Sequence, residues 1–169
     1  TKEVFMSGHS FGTFTTWATM GAAFDVDEVK KRCVDGKTFS QPCTDAEIAL
    51  FAKGLGDPRI AAGLPMAGGV GATETGWFGQ KGYDAVGKPM MLLSGTEDLV
   101  GADNVFARAS GNITWIEIAG ACHQAFAIGG CKSLEENEGF HIIDTYALAL
   151  ARKVVLHDSQ STTGAILDG

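Results

Sequence analysis

Residues 4–12 read Val4-Phe5-Met6-Ser7-Gly8-His9-Ser10-Phe11-Gly12, and this stretch decides the fold. Three apolar residues in a row, ending at Ser7-Gly8, suit the end of a strand buried on both faces. From Gly12 to about Phe24 the side chains are small and apolar with no proline, which suits a helix packed closely on a sheet. A strand that runs into a helix through Gly8-His9-Ser10-Phe11-Gly12 matches G-x-S-x-G, in which a serine sits on a sharp, strained turn. Gly8 and Gly12 are expected to leave room where side chains would collide with neighbouring backbone. The turn lifts the Ser10 hydroxyl clear of the sheet, at a helix N-terminus whose dipole favours negative charge. The backbone N–H of Phe11 then points at a developing oxyanion. The pattern is short and can arise as a Gly-Ser turn without chemistry; the apolar run before it and the small-residue helix after it set it apart.

Working outward, residues 25–58 change character: they carry charges, Cys33, Cys43, Pro42 and Pro58, and read as an insertion or cap. One helix is predicted there near Thr44–Lys53, with Thr44 and Glu47 in capping-box spacing. Strands are predicted at 59–66, 90–93 and 113–118, a Gly-rich stretch at 67–71, a loop at 72–88, a helix at 103–109 and a long final helix over 139–156. Residues 157–169 read as a loosely held tail. The alternation of strand and helix predicts an α/β fold with a mostly parallel sheet flanked by helices, in one unit over 1–156.

The composition is that of a globular chain: 169 residues, 45% hydrophobic and 20% charged. A formal net charge of −7 argues against a nucleic-acid partner, because phosphate binding needs clustered Lys and Arg. No apolar run is long enough to span a membrane. Residues 1–6 do not form a signal peptide, and the opening reads as mid-protein. The four cysteines, Cys33, Cys43, Cys122 and Cys131, permit three pairings; the local one joins Cys33 to Cys43 and Cys122 to Cys131. Bridges of that kind would place the chain in an oxidising, extracytoplasmic compartment, secreted or periplasmic; four buried thiols are the other reading. No C-x-x-C is present, so a zinc site has little support.

A serine hydroxyl is a weak nucleophile and needs a base. In G-x-S-x-G hydrolases the chain order is serine, acid, histidine. After the apolar run Met90–Leu93 comes Ser94-Gly95-Thr96-Glu97-Asp98, and Asp98 stands where a carboxylate would follow a strand. Glu97 is the alternative; Asp103 is explained as a helix N-cap. After 113–118 comes Gly120-Ala121-Cys122-His123, a loop histidine. Of the other histidines, His9 lies inside the turn, where it packs or shapes the oxyanion site, His141 falls in the final helix and His157 near the tail. Ser10, Asp98 and His123 are therefore the candidate nucleophile, acid and base.

The segments V-F-M-S-G-H-S-F-G-T, M-M-L-L-S-G-T-E-D and I-E-I-A-G-A-C-H together resemble the α/β-hydrolase superfamily. The likeness is greatest to bacterial serine esterases and lipases of the dienelactone-hydrolase and platelet-activating-factor-acetylhydrolase type, over roughly residues 1–155. The resemblance implies hydrolysis of an ester substrate through an acyl-enzyme, with no metal or organic cofactor. It also implies that the first strands of the fold, and the loop bearing the second oxyanion N–H, lie in an N-terminal half outside this sequence, on a separate chain or the same one. Peptidase or lactonase activity on the same triad, or a binding module without catalysis, are the competing readings. His9, Trp77, Phe78 and Phe126 are candidate substrate contacts; for the aromatics, core packing is the alternative.

Overall fold

The computed structural model describes residues 3–34, 43–70 and 76–168. Four strands, β1 (Val4–His9), β2 (Ile60–Met66), β3 (Met90–Gly95) and β4 (Ile113–Ile118), form one all-parallel sheet whose spatial order equals the chain order. Between them run helices α1 (Phe11–Met20), α2 (Val26–Val34), α3 (Asp45–Lys53) and α4 (Ala102–Phe106); α5 (Glu136–Val155) and α6 (Ser161–Asp168) follow β4.

The sequence of β3, Met90-Met91-Leu92-Leu93-Ser94-Gly95, has no polar alternation because every residue in it is buried. Its side chains divide between the two faces with period two. Met90 and Leu92 join one core with Trp17 and Met20 of α1, Val29 of α2 and Val105 of α4. Met91 and Leu93 join the other with Ala62 and Leu64 of β2 and Ile143 and Leu150 of α5. The division follows from topology. Parallel crossovers are right-handed, so crossovers that all step the same way along a sheet leave their helices on one face. The helices after β4, α5 and then α6, have no described strand to return to and are free to close the other. Full burial of a side chain such as Leu92 or Leu93 contributes about 2 kcal/mol.

Local chemistry sets the helix ends. Thr44 and Glu47 form the capping box of α3, each side chain accepting from the other's backbone N–H. Gly21 ends α1 in the left-handed conformation at φ 106°, and the N–H groups of Gly21 and Ala22 return to the carbonyls of Ala18 and Trp17.

The structure differs from the sequence reading in several elements. Residues 26–34 form a helix, α2, where only one helix was expected between 25 and 58; residues 35–42 of that stretch, with Pro42, lie outside the described residues, as do 71–75 and Gly169. Most of the expected tail is helix α6: Asp158 accepts from the Gln160 N–H and the Thr163 hydroxyl, and Leu167 packs on the α5 core. Asp103 does not cap α4; Gly101 does, leaving Asp103 in the first turn. The loop 76–88 contains a short 3₁₀ turn at Gly82–Ala85. The final helix starts at Glu136, before the expected Gly139, with the Glu135 carboxylate accepting from the Glu138 N–H. Among the described residues, no helix is long and apolar enough to cross a membrane.

Candidate active site

The site is built at the C-terminal ends of β1, β3 and β4. At the end of β1, Ser10 has φ 56° and ψ −116°, a conformation that non-glycine residues rarely adopt. Surrounding bonds hold it there. The Ser10 N–H donates to the Met66 carbonyl at 2.9 Å, continuing the β1–β2 ladder, and the Thr13 hydroxyl donates to the same carbonyl at 2.8 Å. Gly8 is required: a Cβ there would lie 2.2 Å from the Gly12 carbonyl oxygen. Gly12 is not required in the same sense, because a Cβ on it meets nothing within 4 Å, which corrects the expectation of crowding at both glycines.

Ser10 precedes α1 but its side chain makes no capping bond. Its Oγ instead stands 2.9 Å from Nε2 of His123. The Nδ1 of His123 lies 3.1 Å and 3.3 Å from the two carboxylate oxygens of Asp98. A carboxylate can only accept, so Nδ1 donates and Nε2 is left to accept from the serine hydroxyl. By helix geometry the N–H groups of Phe11 and Gly12, which open α1, have no intrahelical partner and carry the positive end of the dipole, while the Thr13 N–H donates to the Ser10 carbonyl at 3.0 Å. An imidazole bonded on one side to a carboxylate and on the other to a hydroxyl can take that hydroxyl's proton while the carboxylate stabilises the cation.

The loops that carry the acid and the histidine are tied together. The N–H groups of Thr96 and Glu97 donate to the carbonyls of Ile118 and Ala121, at 3.1 and 2.9 Å. Gly95 permits this approach, since a Cβ on it would stand 2.1 Å from the Ala121 oxygen. The Asp98 N–H turns back to the Gly95 carbonyl, and the Asp98 side chain is only 3% exposed. Glu97, the alternative acid, is exposed, and its carboxylate accepts from the Ser133 hydroxyl instead. His123 opens a 3₁₀ turn, His123–Phe126, directly after Cys122, which is bridged to Cys131. The second bridge joins Cys33 to Cys43, so both pairs are the local ones.

His9 has a role the sequence left open. Its Nε2 donates to the backbone carbonyl of His123 at 2.9 Å, and the two rings lie 4.7 Å apart. It braces the turn that holds the base. The remaining histidines stand apart: His141 is exposed on α5, and His157 pairs with Glu3.

The aromatic candidates separate. Phe78 is core, packed on Phe24 and edge-on to Tyr83. Phe126 belongs to the core under α5. Both are buried, as the core-packing alternative has it, each apolar ring gaining from the sheet face beneath it, although Phe78 also lines a surface cleft with Phe24 and Lys81. Trp77 is also largely buried, stacked on Phe51 with Arg32 over its ring, but its edge reaches a surface groove. Phe11, whose backbone was the expected contributor, also presents an exposed ring that the sequence reading did not single out. Among the described residues no three His, Cys, Asp or Glu side chains gather as a metal site requires.

No family model matches the chain, and neither a curated protein nor a solved structure does.

Proposed function

We propose that the chain is a serine carboxylic ester hydrolase of the α/β-hydrolase type. The observation that carries this reading is the unbroken relay from Asp98 through His123 to Ser10, set on a serine whose backbone is held at positive φ. His123 accepts the Ser10 proton as Oγ attacks the ester carbonyl, and returns it to the leaving alcohol. The acyl group remains on Ser10 until water, activated by the same imidazole, releases it. The Phe11 N–H and the α1 dipole stabilise the oxyanion.

A second polypeptide segment completes the enzyme in this reading. β1 pairs only with β2 among the described residues, and its side chains are exposed or half-buried although its sequence is apolar. A further strand on that edge, the N-terminal half of the fold, would bury it and bring the second oxyanion donor. The two disulfides favour an oxidising compartment, secreted or periplasmic.

The test is a fluorophosphonate probe followed by intact-mass and peptide mapping, with hydrolysis of p-nitrophenyl butyrate alongside. One adduct on Ser10, and loss of both adduct and turnover in Ser10→Ala, is expected. Full turnover in Ser10→Ala would sink the assignment, and faster cleavage of an aminoacyl nitroanilide would move it to the peptidases.

A further inference from the structure

A groove of about 250 Å³ begins at Phe11 and follows α1, with Thr15, Ala18 and Thr19 on its floor. Phe51 and Leu55, on and just after α3, form one wall, and Phe24 and Trp77 close the far side. The floor residues recur at helical spacing, so they form one stripe along α1. From 11 to 19 the stripe runs roughly 12 Å, about the length of an acyl chain of eight or nine carbons.

Three observations point to an occupant. The lining is almost wholly apolar, with only two threonines among nine residues. Its rings are pre-arranged, Phe24 edge-on to Phe51 at 4.9 Å and Phe51 stacked on Trp77 at 6.2 Å. Yet the apolar groups at its mouth face solvent, Phe11 at 69% and Leu55 at 47% exposed, and α3 has no buried residue. Exposed apolar surface of that kind, left in a concave strip, marks a binding site. Its position identifies what binds. Phe11, at the groove mouth, follows Ser10 directly in the chain, so the groove starts at the residue next to the proposed acyl-bearing serine.

We propose that this groove seats the aliphatic acyl chain of the ester, making the preferred substrates medium-chain acyl esters. The inference rests on the hydrolase reading above. Each methylene taken from water raises kcat/KM about fourfold until the groove is full. A residue on the floor that fills the groove removes that gain. Thr15 suits the purpose, because it is exposed and a larger side chain there displaces nothing in the core.

The experiment is kcat/KM for p-nitrophenyl butyrate and octanoate with the wild-type protein, its N-terminal half included, and with Thr15→Phe, together with calorimetric binding of octanoate to Ser10→Ala and to Ser10→Ala/Thr15→Phe. An octanoate-to-butyrate ratio above tenfold, falling severalfold or more in Thr15→Phe, with octanoate binding weakened in parallel, is expected. A ratio near one in the wild type, or a ratio and an affinity that Thr15→Phe leaves unchanged, overturns the groove while leaving Ser10-dependent hydrolysis standing. If neither ester is hydrolysed but octanoate binds and Thr15→Phe weakens it, the hydrolase reading fails and the acyl site survives. If neither hydrolysis nor binding is seen, both fall.

Discussion

At the scale of single residues, the roles of Asp98 and His9 can be separated by what each touches. Asp98 accepts from Nδ1 of His123 and so sets which nitrogen faces Ser10. Asn at 98 can keep the contact but presents an amide N–H or O without charge, which favours the wrong tautomer. Asp98→Asn is expected to lower kcat on butyrate ester by about 10⁴-fold with little change in KM. His9 never reaches Ser10; it holds the carbonyl of His123. Removing that donor in His9→Phe forfeits one hydrogen bond, so kcat is expected to fall about 3- to 10-fold with KM unchanged. His9→Gln, which retains a donor, is expected to recover part of the loss; no recovery would mean that ring packing, not the bond, positions the base.

At the scale of elements, the Cys122–Cys131 bridge closes the loop that starts with His123. By the chain-entropy account a loop of this size contributes about 2–3 kcal/mol. Cys122→Ser/Cys131→Ser is expected to lower the melting temperature by roughly 5–10 °C and to reduce hydrolysis beyond what that loss of stability explains. The matched Cys33→Ser/Cys43→Ser pair, which ties α2 to the approach to α3, is expected to cost similar stability and a smaller share of activity. Thermal melts and rates well below the transition check both. The elements themselves were legible to different degrees. β3 and α5 stand out in the sequence because burial on two faces and a long one-sided stripe leave unmistakable patterns. The capping box of α3 was legible because it is a local bond between Thr44 and Glu47. α2 was not, since its mean hydropathy is polar and only Val29 and Cys33 are buried. α6 hid for a related reason: what anchors it, Asp158 and the surface of α5, lies outside its own eight residues. The three site residues were legible because each follows a strand. The bond from His9 to His123 spans 114 positions, and nothing local announces it. The burial of Phe78 and Phe126 was not legible because a loop aromatic looks the same whether it turns inward or out.

At the scale of the whole molecule, stability should depend on pH through Tyr83. Burial pushes its phenol up to about 12, against the opposing pull of the Arg108 charge. Between pH 10 and 12 the folded chain therefore keeps a proton that the unfolded chain loses. The stability this confers is present in full below pH 10 and is lost as pH rises through 12, up to about 2–3 kcal/mol in total. Urea midpoints measured across that range should fall with pH, and less steeply in Tyr83→Phe; an equal slope in both would place the alkaline loss elsewhere.

The identity of spatial and chain order in the sheet has a further consequence, in the time domain. Each strand docks beside the one synthesised just before it, so the sheet can grow outward as the chain leaves the ribosome, with no strand waiting for a distant partner. Of the four described strands, Ser10 follows the first, whereas its bonding partner His123 comes only after β4 is laid down. An unfinished chain that stops between Asp98 and β4 carries the hydroxyl and the carboxylate without the imidazole. In the proposed hydrolase the relay is thus completed only once β4 and the following turn are made, and a copy that ends before His123 is expected to show no turnover.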